Sequence, residues 1–275
     1  MSAAGFIVVA AAQVCFAQGG RLKGPCVAVS ATAAGNVIEI AATNKTGAAL
    51  TLILKVTESN TAASKEQSIT ETLPAGTRKT LLCVTNTEGG IFNCAYTYRY
   101  VLGNASAKHD DSYVYQLPYA TGQWHKVDQS FGGSFSHTGS LYYAVDFTMP
   151  EGTPVLAARE GFVVMTESSQ REGGPERSFR DKANCVLIEH TDGTIGAYMH
   201  LKQNGVLVKT GDIVGRGQVI GYSGATGWAT GPHLHFSVHR LFGDDDLGES
   251  APFKFESNQG VVERPVVGMI YTHEN

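Results

Sequence analysis

Charge is what this chain has least of. Asp, Glu, Lys and Arg make up only 17% of its 275 residues, against about 25% in an ordinary soluble domain. Coiled coils and long single helices, which need a charge-rich composition, are thereby excluded. The formal net charge is only -4, which offers no electrostatic attraction to a phosphate backbone, so no nucleic-acid partner is expected. Long apolar runs are missing too. The most extended one, FIVVAAAQVCFA at 6–17, falls short of the roughly 20 residues a membrane-spanning helix needs, and no stable membrane span is expected. No Lys or Arg precedes Arg21, so the basic start of an export signal is lacking, although the apolar core and the small residues Ala17 and Gly19 suit one. We read 1–17 as a signal peptide and the rest as an exported protein, periplasmic or extracellular. Two familiar catalytic patterns are also absent. There is no His-Glu-x-x-His, and Gly221-Tyr222-Ser223-Gly224 lacks the second glycine of a nucleophile elbow.

What is present in excess is glycine, 32 residues in all, about 12% where about 7% is usual. With 43% hydrophobic residues, the chain can offset its ordering entropy by burial, which excludes disorder. The profile is that of short strands joined by many turns. Once 1–17 is removed, Cys26, Cys83, Cys94 and Cys185 remain, an even number that suits disulfides in an exported protein. The stretch 81–100 reads as a hairpin turning at Thr87-Glu88-Gly89-Gly90, which would set Cys83 opposite Cys94 and allow a bridge.

Between 22 and 118 the sequence alternates as half-buried strands do. Leu50, Leu52, Leu54 and Val56 point one way, Thr51, Lys55 and Thr57 the other. Strands are expected at 37–43, 50–58, 79–85, 92–102 and 113–117. No catalytic constellation occurs here, so 22–118 reads as an immunoglobulin-like β-sandwich, an accessory domain with a scaffold, binding or regulatory role. After a linker at 119–126 the residues change, and seven of the nine histidines lie from His137 onward. Strands are expected at 153–158, 161–166, 185–189 and 196–201, with Asp192-Gly193 turning a hairpin and 168–181 forming an exposed loop. The fold class is all-β, in two domains at 22–118 and 119–275.

The sharpest chemical feature is Gly231-Pro232-His233-Leu234-His235-Phe236. On a strand, His233 and His235 face the same side about 6.6 Å apart, so both could serve one site. Spacing alone does not say which would bind a metal and which would serve the substrate. His137 follows a Gly/Ser-rich loop, and Asp146 sits among apolar neighbours in Tyr143-Ala144-Val145-Asp146-Phe147, where an unpaired carboxylate is expensive to bury. A zinc ion with three protein ligands and one open position would compensate it. His200 ends the apolar stretch Ala197-Tyr198-Met199-His200-Leu201; a satisfied core histidine and a site residue are both compatible with that position. His239 shares the parity of His235 but lies about 13 Å along the strand and reads as structural or surface. His109, His125, His190 and His273 read as solvated.

Taken in order, Ser136-His137-Thr138-Gly139, the run from Ala144-Val145-Asp146-Phe147 to Pro154-Val155, Tyr198-Met199-His200-Leu201, Gly221 to Gly227 and Gly231 to Phe236 resemble the M23 metallopeptidase family of the lysostaphin type. The resemblance covers about 130–240. It implies an antiparallel β-sheet catalytic domain with an open groove, a zinc ion on His137, Asp146 and His235, and His200 and His233 acting on water and substrate. It further implies hydrolysis of peptide cross-links or stem peptides of bacterial peptidoglycan by metal-activated water. One departure stands out: eight residues separate His137 from Asp146, where many members have three. We read the extra residues as a loop insertion at the groove edge. A non-catalytic relative that binds cell wall or activates another hydrolase is the alternative, against which stands the presence of all five site residues. The glycine-spaced stretch 211–221 also suits a biotinyl or lipoyl carrier, but the Asp192-Gly193 turn holds no lysine to carry the group.

Overall fold

The computed structural model describes residues 26–59, 64–87, 92–243 and 248–273, together with the strand 7–11. Apart from Ile7–Ala11, the expected signal segment 1–17 and Cys15 lie outside the described residues. The chain divides into two units, parting between Leu102 and Gly103.

In the first unit the strands are β1 (Ile7–Ala11), β2 (Val27–Ala34), β3 (Val37–Asn44), β4 (Leu50–Ser59), β5 (Ser64–Leu73), β6 (Arg78–Thr85) and β7 (Phe92–Gly103). They form two antiparallel arrays, β2–β3–β6 and β5–β4–β7, with β1 running parallel beside β7. Alternation builds the interior. Ile38 and Ile40 from one array meet Leu50, Leu52, Leu54, Val56, Tyr96, Tyr98 and Tyr100 from the other in a single buried cluster. Three strands, β1, β2 and β5, fall outside the expected ones. The sequence of β5, SKEQSITETL, is mostly polar because it pairs on one side only, along the full length of β4.

The expected hairpin at 81–100 does not form, and with it goes the Cys83–Cys94 bridge. β6 pairs with β3, which sets Cys83 opposite Glu39, whereas β7 pairs with β4, which sets Cys94 opposite Glu58. Successive strands have crossed from one array to the other, so their cysteines face different partners. Cys83 is exposed and Cys94 is buried, and none of Cys26, Cys83, Cys94 and Cys185 forms a disulfide.

The second unit contains β8 (Val114–Tyr115), β9 (His125–Gln129), β10 (Ala144–Thr148), β11 (Pro154–Leu156), β12 (Gly161–Glu167), β13 (Gly173–Gly174), β14 (Asn184–Glu189), β15 (Ile195–Val206), β16 (Ile213–Val214), β17 (Val219–Ser223), β18 (Gly227–Trp228) and β19 (His233–Phe242), followed by short C-terminal strands. Helix is confined, among the described residues, to 3-10 turns at Gly139–Leu141 and Arg177–Lys182. Its main sheet runs β16–β12–β14–β15–β19–β10–β9. Asp192-Gly193 does turn the β14–β15 hairpin: Gly193 has a φ of 80°, and the Asp192 carboxylate accepts from the Thr194 backbone N–H at 2.9 Å. One face of the sheet carries the core, with Val145, Phe147, Val186, Tyr198, Leu234 and Phe236 all buried in it. Because side chains alternate along a strand, Asp146, His233 and His235 necessarily leave by the other face.

Candidate metal centre

The site starts from two antiparallel neighbours. β10 and β19 are in register so that Asp146 lies directly opposite His235. The Asp146 carboxylate is 7% exposed, and burying it is costly unless it is paired. Its Oδ1 lies 2.9 Å from Nδ1 of His235 and 3.2 Å from Nε2 of His137. His137, fully buried, comes from the loop that follows β9. Its Nδ1–H donates to the Ser130 carbonyl at 2.9 Å, which turns Nε2 toward Asp146.

His200 reaches the same place by a different device. Asn184 pairs with Leu201 but Cys185 pairs with Met199, so His200 is the extra residue of a β-bulge, and its φ is 63°. A bulge re-aims a side chain that regular alternation would send elsewhere. It falls where β15, paired with β19 up to Met199, turns to pair with β17 at Leu201. The His200 Nδ1–H donates to the Thr226 carbonyl at 2.7 Å. The ring lies 4.6 Å from that of His233 and 5.8 Å from that of His235. His233 donates from Nδ1 to the Gly231 carbonyl at 2.9 Å, and its Nε2 is 3.9 Å from Asp146 Oδ1. The structure therefore brings all five residues together and seats His235, rather than His233, against the carboxylate.

The electrostatics of Asp146 and His235 suit a metal. Burial pushes the Asp146 carboxyl upward, but the neighbouring imidazoles of His137 and His235 outweigh it and hold the group well below the usual carboxylate range. Burial lowers the pKa of His235, opposed by Asp146. It also holds His200 well below its ordinary value, with His233 and His235 adding to the effect. An anionic oxygen and a neutral imidazole are what a divalent ion binds. The fit can be tested by distance. Two ligand atoms about 2.0–2.1 Å from a tetrahedral zinc lie about 3.3 Å apart, close to the 3.2 and 2.9 Å seen here. His137 Nε2, buried and without a hydrogen-bond partner, points at the carboxylate oxygen. Among the described residues His137, Asp146 and His235 are the one group whose ligand atoms converge, all within 4.8 Å.

The centre lies at the base of a groove of about 610 Å³. Phe135, 50% exposed, and Trp228 stand on its rim with ring centroids 5.1 Å apart. Trp228 is held by its indole N–H, which donates to the Pro175 carbonyl at 2.7 Å. That contact and the pairing of β13 with β18 fasten the loop 168–181 to the groove wall. The eight residues between His137 and Asp146 include the 3-10 turn Gly139–Leu141 and run into β10.

Sequence reasoning missed Gln129, whose amide touches Asp146; no local pattern marks it. The reading of the remaining histidines as solvated is corrected. His125, His190 and His273 are buried and bonded to the carbonyls of Thr148, Glu160 and Tyr119, and the His109 side chain is 6% exposed beside Asp111. His239 is a structural residue, 1% exposed, with Nε2 2.8 Å from Ser237 Oγ.

Residues 140–247 match the model of Peptidase family M23. The chain is 44% identical over 93 residues to the peptidoglycan DD-endopeptidase ShyA of Vibrio cholerae, covering 34% of this chain and 19% of that relative. It is 37% identical over 123 residues to lysostaphin of Staphylococcus simulans, covering 44% of this chain and 23% of the relative. The solved structure of the antimicrobial peptidase lysostaphin from Staphylococcus simulans shares 32% identity over 46% of this chain and 47% of that chain, with a TM-score of 0.35. The chain thus spans about a fifth to a quarter of the length of these curated relatives.

Proposed function

We propose, from the Peptidase family M23 segment that this chain carries, that it is a zinc-dependent endopeptidase acting on the peptides of bacterial peptidoglycan. The observation that carries the reading is the convergence of His137, Asp146 and His235 within 4.8 Å at the base of an open groove. His137 through Nε2, Asp146 through Oδ1 and His235 through Nδ1 would hold the ion. When bound, zinc polarises a peptide carbonyl and acidifies water.

The chain's own residues do the rest. His200 and His233 each commit Nδ1–H to a backbone carbonyl, so each keeps an unprotonated Nε2 that can accept a proton. One takes the proton of the attacking water, and the same or the other ring returns it to the leaving amine. Once protonated, Nε2 donates a hydrogen bond, which steadies the negative charge that develops on the scissile carbonyl oxygen. The loops around Phe135 and Trp228 would position the peptide. The unit before Gly103 carries none of these groups and serves as an accessory, and the protein works outside the cytoplasm, where its substrate lies.

The test is digestion of defined muropeptides with and without a chelator, alongside zinc content of the purified chain. New amino termini that appear only with metal support the enzyme. A chain that holds no zinc, or retains full activity as His235→Ala, sinks it and favours a non-catalytic wall-binding role.

A further inference from the structure

The Asp146 carboxylate has two oxygens, and only Oδ1 faces the histidines. Oδ2 accepts from Nε2 of Gln129 at 2.9 Å. The same amide nitrogen donates its second hydrogen to Ser136 Oγ at 2.8 Å. On the other side, Gln129 Oε1 accepts the backbone N–H of Phe135 at 3.1 Å and of Ser136 at 3.2 Å. A carboxamide offers two donors and two acceptor lone pairs, so every valence is used. Its orientation follows from its partners: a flipped amide would set two N–H groups against two N–H groups and an oxygen against a carboxylate.

Gln129 sits opposite Asp146 in the β9–β10 pairing, while Phe135 and Ser136 immediately precede His137. One side chain therefore holds Asp146 and the loop that delivers His137, two groups that arrive from different elements and are separated by eight residues. The loop passes so close to it that a Cβ at Gly133 would stand 2.2 Å from Gln129 Cγ.

We propose that Gln129 is a positioning residue of the metal centre, capping Asp146 Oδ2 so that Oδ1 alone is offered to the ion and tying the His137 loop to the same carboxylate. The proposal rests on the zinc reading above. Partners of this kind orient ligands, and removing one weakens metal binding by about 10- to 100-fold.

Zinc affinity of the full chain, measured by competition with a chromophoric chelator, tests it with Gln129→Met, which keeps the length of the side chain and removes all four hydrogen bonds. The expected result is a 10- to 100-fold weaker zinc affinity. Gly133→Ala retains the amide but displaces it, since the new Cβ would stand 2.2 Å from Gln129 Cγ, and should weaken zinc in the same direction. Because it acts through Gln129, it should add little to the double variant. If Gln129→Met does not fold, Gly133→Ala decides alone. A folded variant that binds zinc as tightly as the unaltered chain overturns the proposal while leaving the enzyme reading intact; an unaltered chain that holds no zinc overturns both.

Discussion

Asp146 Oδ1 and His235 Nδ1 stand 2.9 Å apart across the β10–β19 ladder. This pair makes a buried carboxylate tolerable, and it marks the second histidine of the His-x-His, not the first, as the neighbour of the charge. The first prediction follows. Asp146→Asn keeps the shape of the side chain but removes the anion, so zinc should be lost from the purified protein. Any muropeptide cleavage should fall to the level of the chelator-treated protein. A metal analysis finding one zinc per chain in this variant would contradict the ligand assignment.

His200 and His233 should behave differently. His233 Nε2 is 3.9 Å from the carboxylate, and His200 is held to Thr226. Replacing either by Ala should leave the zinc content near that of the unaltered protein. The turnover rate should fall by about 10²- to 10⁴-fold, the usual worth of a proton-transfer group. Loss of metal in both variants would show that they are ligands instead.

The cysteines should react as separate thiols. Cys83 is exposed, whereas Cys26, Cys94 and Cys185 are buried, and burial together with the nearby Glu58 raises the pKa of Cys94. A thiol reagent at neutral pH should modify Cys83 first and reach Cys94 only on unfolding. Mass spectrometry of the non-reduced protein that finds a Cys83–Cys94 cross-linked peptide would refute this.

Acid should destabilise the second unit through His190. The ring is 3% exposed, and burial pushes its pKa from the ordinary 6.5 down to about 4. The unfolded chain takes up this proton near pH 6.5 and the folded chain does not, so the contribution is intact above pH 6.5 and shrinks as the pH falls toward 4. The loss is on the order of 3 kcal/mol. Urea unfolding at pH 7 and pH 4.5 should show a smaller pH dependence in His190→Gln than in the unaltered protein; equal slopes would exclude the residue as the cause.

Much of this was legible in the chain itself, and for a local reason. A strand repeats every two residues, so Leu50, Leu52, Leu54 and Val56 declared a buried face, and His233 and His235 declared a shared one. Asp146, hemmed in by Val145 and Phe147, announced a carboxylate in need of partners. The motifs around these residues resembled those of a family before any distance was known.

Tertiary structure decided whatever depends on which strand lies beside which. Periodicity gives each strand a face but no neighbour, so it could not tell that Cys83 and Cys94 belong to different arrays, nor which histidine of the pair meets Asp146. It could not foresee the bulge that throws His200 into the site, because a residue with a φ of 63° is imposed by the pairing of its flanks on two different strands. Nor could it find Gln129, which matters only because β9 pairs with β10 and the His137 loop folds back over it. Residue type and alternation are local properties of the chain; register and sheet partnership arise only when distant segments compete to satisfy the same backbone hydrogen bonds.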